Sequence, residues 1–163
     1  MANSSFIGKA KNTIIKDIIK DPLMVAAIDS PDIKSPEKLI GTHIFNYNQN
    51  PLTIDKNITF LTVQVHIEKE RRWQDAKVYV YPVIDIFVIS HITHMQVDNI
   101  PKVVENRNDY IARLLDEKFN GYEGLGITTL VLTSNIEGSL QADYVYRRLT
   151  FKGSDINDAV CED

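Results

Sequence analysis

VYVYPVIDIFVISH, residues Val78–His91, reads as a strand with two apolar faces. Side chains alternate along a strand, so Val78, Val80, Ile84, Ile86 and Val88 share one face. Tyr79, Tyr81, Val83, Phe87 and Ile89 share the other. Such a strand belongs in the middle of a sheet, covered on both sides by helices of the same chain or by another subunit. The elements around it set the architecture. Residues 99–105 lead into a helix over NRNDYIARLLDEKF (106–119), and together they carry a stripe of Val103, Val104, Arg107, Tyr110, Ile111, Leu114 and Leu115, with Asn120-Gly121 as its stop. Residues 126–136, GITTLVLTSNI, and 143–155, DYVYRRLTFKGSD, supply a second hairpin, with strands at 127–136 and 144–151 joined through 137–140.

On the N-terminal side, residues 58–69 alternate cleanly, with Leu61, Val63, Val65 and Ile67 against Thr62, Gln64, His66 and Glu68. Residues 70–77 then read as a long hairpin loop. Residues 5–20 read as a helix with Ile7, Ile14, Ile15, Ile18 and Ile19 on one stripe. Asp21-Pro22 ends it and can start a short second helix through Ile28, since Asp caps and Pro suits the first helical position. Residues 31–57 read as a polar insertion with a helical turn at Ser35-Pro36-Glu37 and a short strand at 43–47. Residues 154–163 are acidic and read as a frayed tail. The fold class is therefore α+β: a mostly antiparallel sheet with a long hairpin, an N-terminal helix, and a second helix packed across the sheet. At 163 residues a single domain is expected. A chain of this size buries about 70% of its unfolded surface, enough for one core without staples.

Composition narrows the function. The net charge of −4 argues against electrostatic gripping of nucleic acid, which needs clustered Lys and Arg. The single cysteine, Cys161, builds neither a disulfide framework nor a zinc site. No run approaches the ~20 apolar residues of a membrane helix, and the N-terminus lacks a continuous signal-peptide core.

No catalytic signature is legible. His91 and His94, with Asp98 nearby, could hold a divalent ion, but at period two they lie on opposite faces. The plainer reading is two polar residues where a strand runs out. Asp85, inside an apolar strand, is a candidate buried acid or base; the plainer reading is a partner for an arginine or a subunit contact. Glu68, Glu70 and Asp75 lack the pattern of a metal-dependent nuclease. Ser134 and Ser139 lack a nucleophile elbow. Gly121, Gly124 and Gly126 do not make a phosphate loop. The expectation is a protein that is not an enzyme and needs no cofactor and no metal. The contact candidates are Arg71, Arg72 and Trp73 at the tip of the first hairpin, because Trp and Arg dominate interface hot spots. Tyr79, Tyr81 and Phe87 join them on the second face of the central strand. Arg147 and Arg148 are successive strand residues, so one can pair within the sheet while the other reaches a neighbour.

The order of elements resembles the phage tail terminator (tail completion) proteins. The resemblance lies in residues 14–28 as the opening helical stretch, in PVIDIFVISH (82–91) as the central strand, in NRNDYI (106–111) opening the helix, and in YRRLTF (146–151) closing the sheet. It spans roughly residues 6–156. It implies a structural virion protein of the tail or neck, assembled in the host cytoplasm, that forms a homo-oligomeric ring, hexameric by analogy. Such a ring caps the tail tube and joins it to a head–tail connector protein. DNA passes through its lumen without specific binding, and no membrane is involved. The alternatives are another head–tail joining or tube protein, and, behind these, a small metal-dependent hydrolase using Asp85 with His91 or His94.

Overall fold

The computed structural model describes residues 5–31, 34–54, 56–72, 78–126, 129–141 and 143–153, with the backbone alone at 69–72 and 78–80. Helix α1 (Ser5–Ile19) buries Ala10, Ile14, Ile15 and Ile18. Helix α2 (Pro22–Ile28) begins as its sequence demands. The Asp21 carboxylate accepts from the amides of Leu23 (3.0 Å) and Met24 (3.3 Å), and Pro22 takes a first-turn position that needs no N–H. Asp29 closes α2 in the left-handed region at φ 57°, with its own N–H returned to the Ala26 carbonyl.

Strands β1 (Ile44–Phe45), β2 (Thr59–Arg72), β3 (Val78–His91), β4 (Leu130–Leu140) and β5 (Tyr144–Gly153) form one sheet in the order β1-β2-β3-β5-β4. All pairs are antiparallel except β1 on β2. The two-faced strand β3 is the middle one, as its composition requires. Pro82, which cannot donate to a ladder, sits opposite Ile67 at the irregularity between Ile67 and Lys69. Helix α3 (Arg107–Phe119) packs against β3, β5 and α2. The main core lies between the helices and one face of the sheet: Leu61, Val63, Ile84, Ile86, Val88, Leu149 and Phe151 meet Ile14, Ile18, Ile111, Leu115 and Phe119.

Four expectations shift. The first hairpin loop is shorter than 70–77, because Glu70, Arg71 and Arg72 pair with Val80, Tyr79 and Val78. Residues 137–140, expected as the second connection, are strand: β4 runs to Leu140, and the chain turns with Gln141 at φ 60°. Gly138 stays in the ladder because the Tyr146 ring lies over it; a Cβ there would come within 2.6 Å of that ring. The polar insertion is not an appendage, since Leu39, Ile44, Phe45 and Pro51 are buried. Val103 and Val104 precede α3, and Val104 is 94% exposed.

Candidate functional site

Register sorts the sheet into two faces. Residues level with Ile84, Ile86 and Val88 meet the helices. Those level with Val83, Asp85 and Phe87 form the other face, made up of Gln64 and His66 of β2, Tyr81 of β3, and Tyr146, Arg148, Thr150 and Lys152 of β5. One end of this face is closed by a small second cluster of Phe45, Phe60, Ile89 and Tyr144, over which Ile54 and Ile58 fold. Among the described residues no helix covers the rest. Phe87 and Tyr146 have ring centroids 5.6 Å apart, and the Arg148 guanidinium carbon is 5.9 Å from the Phe87 centroid. Phe87, Tyr81, Tyr146 and Arg148 are all half-buried. Thr62, Phe87 and Arg148 stand in one row across the sheet. Thr62 Oγ1 and Arg148 Nε are buried there without a hydrogen-bond partner among the described residues.

The successive arginines divide as their alternation requires. Arg147 points to the helix face. Its Nε donates to Asp109 Oδ1 (2.6 Å), Nη1 to Asn135 Oδ1 (3.1 Å) and Nη2 to Glu137 Oε2 (3.2 Å). Arg148 stays on the uncovered face beside Phe87. The structure thus brings Tyr81, Phe87 and Arg148 to one face and keeps Arg147 apart. Arg71, Arg72 and Tyr79 extend the same hairpin, where the register is Arg71↔Tyr79. Trp73 lies outside the described residues.

The chemical candidates are dispersed. Asp85 meets no arginine among the described residues. It accepts from Thr150 Oγ1 (2.6 Å), with His66 Nδ1 3.8 Å away. His91 ends β3, where its Nδ1 accepts from the Thr93 amide (3.2 Å). His94 turns inward on a short 3₁₀ turn, Ile92–His94. Among the described residues no three His, Cys, Asp or Glu side chains form a metal-holding group, and no helix is long and apolar enough to cross a membrane. A cleft of about 400 Å³ between the start of α3 and the β4–β5 hairpin is lined by Asn106, Asp109, Glu137, Ser139 and Arg147, among others. Its charged groups are committed to one another through Arg147.

Sequence reasoning missed one polar cluster. Arg107, on the apolar stripe of α3, is fully buried. Its Nε donates to His94 O (2.8 Å), Nη1 to Ala27 O (2.7 Å) and Nη2 to Gln96 O (2.7 Å); Asp29 Oδ2 lies 3.5 Å from Nη2. Ser90 Oγ donates to Asn108 Oδ1 (2.6 Å), whose amide donates to Val145 O. The Ser90 proton is thereby used, so Thr59 Oγ1 donates to Ser90 (2.7 Å) and must accept from His94 Nδ1 (2.8 Å). A neutral His94 ring can satisfy only one of its two contacts, Nδ1–H to Thr59 or Nε2–H to the Asp29 carboxylate (3.2 Å), and only the protonated ring donates to both. Burial, and then Arg107, hold the His94 pKa below 6.5, against the pull of Asp29 on Nε2. A histidine with a depressed folded pKa binds fewer protons than the unfolded chain just below 6.5. Its contribution is therefore complete above 6.5 and declines as pH falls toward the folded pKa. Melting temperature is expected to drop on acidification through that window, and His94→Gln to flatten that part of the profile. An unchanged slope in the variant would remove His94 from the account. The one legible signal for this cluster was an arginine on an apolar stripe.

Comparison with known proteins places the chain. The YomW family model matches residues 12–153, nearly the whole described fold. The chain belongs to the YomW family. YomW is a family of phage gene products, which gives this chain a phage origin. No curated protein and no solved structure matches it. In this YomW-family chain the matched span takes in the second half of α1, all of α2, the uncovered sheet face and both hairpins.

Proposed function

We propose that this chain is a tail terminator: a structural virion protein that forms a ring, caps the tail tube and joins it to a head–tail connector protein. The observation that carries the reading is the uncovered sheet face. The central strand is apolar on both sides, and among the described residues the helices cover only one of them, a small cluster around Phe45 and Phe60 closing one end of the other. Phe87, Tyr146, Tyr81 and Arg148 are left half-buried, with Arg148 Nε and Thr62 Oγ1 unpaired among the described residues. Buried polar atoms without partners are uncommon in finished interfaces, so a second protein surface supplying an acceptor there suits the chemistry. The phage family supports the setting, and the element order matches the terminator plan of helix, long hairpin, helix across the sheet and last hairpin. Net charge of −4 suits a lumen that lets DNA pass without holding it. No catalytic role is assigned, since Asp85, His91 and His94 each answer to different partners.

Mass in solution tests this. Light scattering across a concentration series, with and without tail tubes, should show a closed ring, or a monomer that becomes a ring on tubes. A chain that stays monomeric and does not bind tubes would end the terminator reading.

A further inference from the structure

The sheet has two outer strands, and both leave part of their edge open. Strand β4 is covered at its start: Leu130 bonds outward to Tyr122 O and the Gly121 amide, and the Leu132 amide bonds to Asn120 Oδ1. The irregularity between Leu132 and Ser134 then shifts the alternation by one residue. Beyond it, Ser134, Ile136, Gly138 and Leu140 direct their main-chain groups to β5, while those of Asn135, Glu137 and Ser139 point away. Among the described residues no hydrogen bond reaches these outward groups. The stretch has no Lys and no Pro, the usual guards of an exposed edge, and its one charge is Glu137.

Strand β2 is the other edge. Strand β1 covers its start: the Leu61 amide bonds outward to His43 O, and the parallel register Phe45↔Thr62 sets the Val63 amide on Phe45 O. The same alternation leaves the main-chain groups of Val65 and Ile67 pointing outward beyond β1, with no partner among the described residues. The run beyond them carries the charges of Glu68, Lys69, Glu70, Arg71 and Arg72, basic on balance.

We infer that the open edge of β4 in one copy pairs with the open edge of β2 in the next, a main-chain ladder that closes the ring; this rests on the ring reading above. The strand directions decide the partner. Following the antiparallel pairs across the sheet, β2 and β4 run in opposite senses. A second copy placed beside the first in the same orientation therefore presents β2 antiparallel to β4, the better-bonded arrangement. This head-to-tail pairing consumes both edges. It also fixes a stagger. Leu61 stands level with Glu137, through Val88 and Arg147, and Gln64 with Ser134, through Asp85 and Thr150. The open stretches therefore lie toward opposite ends of the sheet, so the neighbour must slide along the strands as well as across. A sheet that closes on itself requires such a shear, and a head-to-tail contact that did not close would grow into a filament.

The test is hydrogen exchange on the assembled wild-type protein, together with the masses of Ser139→Pro and Glu137→Pro. Proline at these positions removes an outward N–H and leaves the β4–β5 ladder intact, a place where edge strands accept it. The expected result is slowed exchange at Asn135, Glu137, Ser139, Val65 and Ile67 on assembly, and loss of the ring, with a native melt, in both variants. A wild-type ring whose five amides exchange as fast as in the dilute monomer would overturn the edge pairing while leaving the ring standing. Protection at the β4 amides alone, with the mass of a dimer, would replace it by a two-fold β4–β4 contact. A wild-type chain that never assembles would remove the ring and the pairing together. The exchange measurement needs no variant, so it decides even if a proline substitution unfolds the subunit.

Discussion

Arg107→Met is expected to cost about 3–5 kcal/mol, the range for breaking one side of a buried charged network. For a chain of this size that is roughly 10 °C in melting temperature. The guanidinium is fully buried and donates to three main-chain carbonyls, those of Ala27, His94 and Gln96, with Asp29 alongside. These acceptors belong to the end of α2 and to the segment between β3 and α3. Methionine fills similar volume but donates nothing, so the carbonyls and the Asp29 carboxylate lose their partner together. Arg107→Lys should recover only part of the loss, because an ammonium cannot present the planar fork that reaches three carbonyls at once. Urea unfolding of both variants measures this; a methionine variant with the wild-type midpoint would mean the guanidinium is not what holds α2 to the β3–α3 segment. Burial pushes the Arg107 pKa down, with Asp29 and Asp98 opposing.

That cluster also shows where sequence reading stops. The strands and α3 were legible because periodicity is local: Leu61, Val63 and Val65 alternate, and Tyr110, Ile111, Leu114 and Leu115 recur at helical spacing, whatever lies elsewhere in the chain. The Asp29–His94 contact joins residues 65 apart, and nothing at either position announces the other. The 31–57 segment misled for a related reason. Its buried residues, Leu39, Ile44, Phe45 and Pro51, are separated by turns and share no period, so composition alone called it polar. The end of β4 was hidden by Gly138 and Ser139, which suggest a turn; the Tyr146 ring lying over Gly138 keeps the strand going, a tertiary fact. Of the contact candidates, alternation alone separated Arg147 from Arg148. That Phe87 and Arg148 would stand together on an uncovered face became visible only once β3 and β5 were paired.

Leu114→Asp is expected to abolish the cooperative fold. Leu114 is 6% exposed on the face of α3 that also buries Tyr110, Ile111, Leu115 and Phe119 in the main core. Aspartate there loses the apolar contacts and places a carboxylate where no partner awaits it among the described residues. It must either take up a proton or open the helix toward water; either route costs several kcal/mol, on the order of the whole stability of a domain. The control is Val104→Asp. Both residues fall on the stripe read from sequence, but Val104 precedes α3 and is 94% exposed, so its replacement should shift stability by no more than about 0.5 kcal/mol. Thermal melts of the pair separate the two ideas a stripe confounds, apolar identity and burial. Loss of the transition in Leu114→Asp with an unchanged Val104→Asp melt is the result the core demands. Equal effects would mean that α3 is not seated on the sheet as described, and the helix-covered face would then be as open as the one carrying Phe87 and Arg148.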